Sequence, residues 1–92
     1  MWPSLSRALD TVPPRDVREL PKNIVLQCFS HDCEGCNAFA PRRGEYERRT
    51  FGGRNILPWD CDVAHKKRLA IDAGATKLPC YVDVQTKKVV YP

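Results

Sequence analysis

The apolar run Ile24-Val25-Leu26-Gln27-Cys28-Phe29 leads within four residues into Cys33-Glu34-Gly35-Cys36, and behind the second cysteine the sequence turns helical. The run reads as a buried strand, and the stretch from about Glu34 to Arg49 as a helix. A C-x-x-C where a strand meets a helix lets two thiols close a short disulfide. It also sets the first sulfur near backbone N–H groups without helical partners and near the positive end of the helix dipole. Both favour thiolate over thiol, and the thiolate is the nucleophile. The expectation is a dithiol–disulfide pair in which Cys33 and Cys36 are the reacting groups.

The rest of the cysteine inventory agrees. Five cysteines, an odd count, argue against a structural disulfide framework. One close pair plus the scattered Cys28, Cys61 and Cys80 fits a redox motif with core thiols around it. The first residues, Met1-Trp2-Pro3-Ser4-Leu5-Ser6-Arg7, carry no apolar stretch of the kind a signal peptide needs. No apolar run approaches the roughly 18 residues of a membrane span. The expected compartment is the cytoplasm, where most thiols stay reduced. The formal charge of +4 comes largely from clusters: Arg42-Arg43, Arg48-Arg49, Lys66-Lys67-Arg68 and Lys87-Lys88. Each is expected on a solvated face, with docking to an acidic partner as the functional alternative. No cluster is dense enough to indicate nucleic acid.

Ninety-two residues make one small domain with a modest core. Residues 1–21 hold four of the eight prolines and read as an N-terminal arm. In it a short helix is expected over Ser4 to Leu9, and a helical turn through Asp16 to Leu20 that Pro21 ends. Residues 22–92 read as the folded domain. Pro41 should bend the helix after the cysteines, and Gly52-Gly53 should break the chain. Asn55 to Asp60 predicts a second strand, weakened by Pro58. Asp62 to Ala73 predicts a helix with Val63, Leu69, Ala70 and Ala73 facing inward and Gly74 just past its end. In this reading Asp60 ends the strand and Asp62 caps the helix. Cys80 to Val84 and Lys88 to Tyr91 predict a hairpin across Gln85-Thr86-Lys87. Strands separated by helices imply parallel pairing through right-handed crossovers, and the hairpin adds an antiparallel edge. The fold class is therefore α/β, a mixed central sheet with flanking helices.

Three features, in order, resemble the thioredoxin superfamily, thioredoxin more than glutaredoxin, over Asp16 to Tyr91. Cys33-Glu34-Gly35-Cys36 follows a strand and opens a helix. Asn37-Ala38-Phe39-Ala40-Pro41 puts a proline five residues after the second cysteine. Gly74-Ala75-Thr76-Lys77-Leu78-Pro79 resembles the segment that leads to that family's cis-proline. The resemblance implies a thioredoxin-like sheet, Cys33 as attacking thiol, Cys36 as resolving thiol and Pro79 in cis against the disulfide. It also implies that the backbone of Leu78 pairs with an extended substrate segment. The chain departs from the pattern at Gln27, where thioredoxins usually carry a buried aspartate. It departs again at Asp32, usually aromatic, and at Glu34-Gly35, usually Gly-Pro. It stops at Pro92, before the family's C-terminal helix, which leaves one sheet face for the N-terminal arm or a partner to cover.

The function expected from these readings is reduction of protein disulfides through a mixed disulfide. The dithiol couple calls for no metal and no organic cofactor, and a partner reductase or glutathione recharges it. Asp32 and Glu34 oppose a thiolate at Cys33, which favours the disulfide and makes the protein a reductant. His31 and Cys80 are auxiliary candidates. A protonated His31 offsets the carboxylates, and Cys80 directly follows Pro79; their plain readings are a polar loop residue and a buried apolar side chain. Cys28, Cys61, Phe39 and Trp59 read as packing residues. Two other readings stay open: a non-enzymatic binding module or accessory subunit of a larger assembly, and a metal or iron–sulfur carrier using Cys33, Cys36 and another thiol. Against the last stands the lack of a second C-x-x-C or H-x-x-H pair.

Overall fold

The computed structural model describes Pro14 and residues 16–92. The helix expected over Ser4 to Leu9 lies outside them. The first element among the described residues is a 3₁₀ turn, Val17–Glu19, capped by Asp16, whose carboxylate accepts the Arg18 N–H at 2.9 Å.

Strand β1 (Ile24–Phe29) is central and buried along nearly its whole length. Strand β2 (Asn55–Asp60) runs parallel to it, with Ile24 opposite Asn55 and Phe29 opposite Asp60. Strand β3 (Cys80–Asp83), although a helix precedes it and parallel pairing was expected, runs antiparallel to β1 on the other side, and β4 (Lys88–Val90) closes a hairpin on β3. The order β2-β1-β3-β4 makes a four-stranded mixed sheet, so the chain is a small α/β protein. Pro58 is tolerated because β2 lies at the edge, where a missing N–H costs no ladder bond on the open side.

The single helix expected after the cysteines is divided. Helix α1 (Glu34–Phe39) passes into a 3₁₀ turn, Ala40–Arg42, and then into helix α2 (Arg43–Phe51). Pro41 accounts for this, since it has no N–H to donate to the carbonyl of Asn37 and its ring crowds that carbonyl. Gly52 ends α2 at φ 61°, in the left-handed region where a Cβ is costly. Helix α3 (Ala64–Asp72) begins two residues later than expected, and Gly74 follows it at φ 110°. Leu69 and Ala70 face inward as expected, but Val63 is exposed and Lys66 is buried. The Lys66 ammonium stands 5.2 Å from the centre of the Trp59 ring, and its backbone carbonyl accepts the indole N–H at 2.8 Å. A long aliphatic stem covering an aromatic face explains why this lysine leaves the solvated set.

Alternation along β1 and β3 sends side chains to two cores. Ile24, Leu26, Cys28, Cys80 and Val82 join Trp59, Leu69 and Ala70 under α3. Val25 and Tyr81 join Phe39 of α1, with Tyr46 and Phe51 of α2 packed against them. Ring centroids in this second cluster lie 5.4 Å apart for Phe39–Tyr46 and 5.1 Å for Phe51–Tyr81. Arg54, at the start of β2, ties the sheet together at its far end. It donates to both Asp83 oxygens, at 2.8 and 2.7 Å, and to the carbonyls of Lys22 and Ile24.

Candidate functional site

From the end of β1 the chain turns through Ser30-His31-Asp32 into α1. Cys33 is the residue that caps α1, with extended backbone at φ −89° and ψ 107°. Its Sγ accepts the N–H of Cys36 at 3.0 Å, and its own N–H donates to the Ser30 carbonyl at 3.3 Å. A disulfide joins Cys33 to Cys36, whose Cα atoms are 5.1 Å apart. The two sulfurs are unequally placed: Cys33 is partly exposed, whereas Cys36 is buried with 8% exposure.

The segment before β3 comes to the same place. The Leu78–Pro79 peptide bond is cis. A Cβ at position 35 would stand 3.4 Å from Pro79 Cδ and 3.8 Å from the Leu78 carbonyl oxygen. The proline loop therefore lies within van der Waals reach of the cysteine turn at position 35. Pro79 and Cys36 border one cavity of about 200 Å³, with Gln27 and His31 also on its wall. Leu78 is partly buried and packs against the α3-side core. So Cys33, Cys36, Leu78, Pro79 and His31 are gathered around one turn.

His31 is held there by an aspartate that sequence reasoning assigned elsewhere. Its Nδ1 lies 2.7 Å from Asp62 Oδ2, which also accepts the His31 backbone N–H at 3.0 Å. Asp62 Oδ1 accepts the Ser30 hydroxyl at 2.6 Å. Asp60 Oδ1 is 3.8 Å from His31 Nδ1. Asp62 does not cap α3; the residue in that position is Val63, which makes no side-chain cap bond. The hydrogen bonds from Ser30 and His31 hold the Asp62 carboxyl well below the usual carboxylate range. In return Asp62, and then Asp60, raise the His31 imidazole above its ordinary value. The only signal in the sequence was the Asp60-x-Asp62 spacing, and nothing local says that its partner stands 31 residues upstream. The ligand atoms of His31, Asp60 and Asp62 fall within 4.8 Å of one another. Both carboxylates already accept protein donors, Asp60 from the Asp62 N–H at 2.9 Å, so the trio is satisfied as an ion-pair network.

Cys80 lies inside the core. It is fully buried opposite Cys28 in the β1–β3 ladder. The Cys28 thiol donates to the Leu26 carbonyl at 4.0 Å and the Cys61 thiol to the Trp59 carbonyl at 3.8 Å. The neighbouring Cys61 and Cys80 thiols, and burial, push the Cys28 thiol up, while Cys28 lowers Cys61 and Cys80. The three thiols pack with the α3-side core rather than with the aromatic cluster that holds Phe39.

Among the described residues no helix is long and apolar enough to cross a membrane. No protein-family model matches this chain, and neither a curated protein nor a solved structure matches it.

Proposed function

We propose that this protein is a thiol–disulfide oxidoreductase of thioredoxin-like fold that reduces protein disulfides through Cys33 and Cys36. One observation carries the reading: the Cys36 N–H is aimed at the sulfur of the more exposed cysteine, while Cys36 itself is buried. A backbone N–H donated to sulfur favours the thiolate, and exposure gives that thiolate access to a partner. In the reducing cycle the Cys33 thiolate attacks one sulfur of a substrate disulfide. A mixed disulfide forms and the other substrate sulfur leaves as a thiol once it takes a proton. The Cys36 thiol then loses its proton and attacks Cys33 Sγ. That closes Cys33–Cys36 and releases the second substrate thiol. Two electrons pass from the protein dithiol to the substrate. A low-molecular-weight thiol such as glutathione, or the dithiol of a partner reductase, restores them.

Leu78 and Pro79 supply the substrate-facing edge in this reading, because Pro79 rests on Gly35 and the Leu78 carbonyl lies beside the cysteine turn. An extended substrate segment would pair there through its backbone. Asp32 and Glu34 flank Cys33 and oppose its negative charge, so the couple favours the disulfide and the protein acts as a reductant. The chemistry suits a reducing compartment such as the cytoplasm. The deciding experiment is an insulin-disulfide reduction assay. Wild-type protein with a thiol reductant should accelerate it, and Cys33→Ser should return the rate to that of the reductant alone. Retention of the wild-type rate by Cys33→Ser would remove this function.

A further inference from the structure

On the α2 side of the cysteine turn lies a groove of about 390 Å³. Gly35, Phe39, Tyr46 and Pro79 border it, and Arg42 and Arg49 stand on its rim. Gly35 and Pro79 mark where the proline loop meets the C-x-x-C, so the groove opens beside the reacting sulfurs. Pro92 borders it as well, and among the side chains its charge is one-sided. Glu45 also borders it but is paired with Arg49 at 3.4 Å. Glu47, on the same helix, accepts the Tyr81 hydroxyl at 2.7 Å and lies 3.9 Å from Arg43. Arg42 is exposed and has no carboxylate partner among the described residues. The acidic groups of the site, Asp32, Glu34, Asp60 and Asp62, all lie outside this groove.

From this arrangement we infer that the groove selects disulfide substrates in which an acidic residue flanks the reacting cysteine. The inference rests on the oxidoreductase reading and names the substrate class for it. A protein segment bound across Pro79 would lay its neighbouring side chain over Phe39 and Tyr46. A carboxylate at that position meets the Arg42 guanidinium, which binds it with paired N–H donors. A lysine at the same position meets a like charge. Because the pair is exposed, the preference is modest and salt weakens it.

The test uses wild-type protein on a neutral small disulfide, bis(2-hydroxyethyl) disulfide. It also uses a set of disulfide peptides that differ only in Asp, Asn or Lys beside the reacting cysteine. At low salt the Asp peptide should exceed the Lys peptide in kcat/KM by about two- to fivefold, with Asn between, and the ratio should narrow as salt rises. Within Arg42→Glu the Asp-to-Lys ratio should fall to one or below. Arg48→Glu makes the same change in net charge but lies outside the groove, and it should keep the wild-type ratio. A wild-type ratio of one overturns the inference. So does a shift in Arg48→Glu as large as that in Arg42→Glu, which would mark a general charge effect. Failure to reduce both the neutral disulfide and every peptide overturns the oxidoreductase reading, and the inference falls with it.

Discussion

Cys33 and Cys36 differ by three positions and occupy different environments, one partly open and one closed. That difference predicts different defects. Cys36→Ser leaves the exposed thiol able to attack but removes the group that resolves the adduct. A covalent mixed disulfide with a peptide that carries an internal disulfide, whose leaving thiol stays attached, should therefore accumulate as a mass equal to the sum of the two, and Cys33→Ser should give none. A comparable adduct on Cys36 in Cys33→Ser would reverse the assignment. His31 gives the second residue-scale prediction. Asp62 bonds to it most closely and Asp60 stands farther off, so Asp62→Asn should move the imidazole pKa down toward its ordinary 6.5. The His31 ring resonance, followed by NMR against pH, reads this directly, and an unmoved midpoint would remove Asp62 from its role. The sign for stability follows. A raised folded-state pKa stabilises fully below about pH 6.5, and this fades as pH rises through the raised value. At this scale the C-x-x-C was legible because strand, turn and helix are contiguous. The Asp62 contact was not, because it joins two loops that only the sheet brings together.

Among the elements, the most informative difference is the break between α1 and α2. Pro41 was visible in the sequence, but its consequence is more than a bend: the helix ends, a 3₁₀ turn intervenes, and a second helix starts at Arg43. This puts Phe39, Tyr46 and Phe51 over Tyr81 and Arg42 on the groove. The edge position of β2 and the burial of Lys66 were invisible for the opposite reason: the first depends on which strand has no neighbour on one side, the second on the Trp59 ring that the lysine stem covers. The Arg54–Asp83 pair belongs to this scale because it joins the start of β2 to the end of β3. Asp83 also accepts the N–H of Gln85, at 3.0 Å, and so shapes the β3–β4 turn. The Arg54 guanidinium, chiefly through its hydrogen bonds, holds the Asp83 carboxyl below its ordinary 3.8. Asp83→Asn should lower stability at neutral pH by about 2 kcal/mol, the scale of a charged hydrogen-bonded pair that is mostly buried. A lowered carboxylate pKa stabilises fully above the unfolded value and less as pH falls below it. The urea midpoints of wild type and variant should therefore differ at pH 7 and converge below pH 3.8. A gap that does not shrink in acid would deny the carboxylate its part.

For the molecule as a whole, the sheet separates two cores, and the cysteines divide between surface and interior accordingly. Cys28, Cys61 and Cys80 are buried, with exposures of 0%, 7% and 0%. Reduced native protein should therefore expose only the Cys33 thiol to a bulky disulfide reagent. The other four should react at a rate that tracks unfolding and rises steeply with urea. Fast labelling of all five in native buffer would show that the α3-side core opens locally. The sequence by itself determined the succession of the strands, the α/β class, the hairpin and the cysteine turn. Each of these depends on residues close along the chain: apolar runs, prolines, glycines and a four-residue thiol motif. Only the tertiary structure decided which way β3 runs, which lysine is buried, which aspartate holds His31 and which arginine borders the groove. Those outcomes depend on surfaces meeting across tens of residues, and a side chain's burial, charge and partners are properties of that meeting.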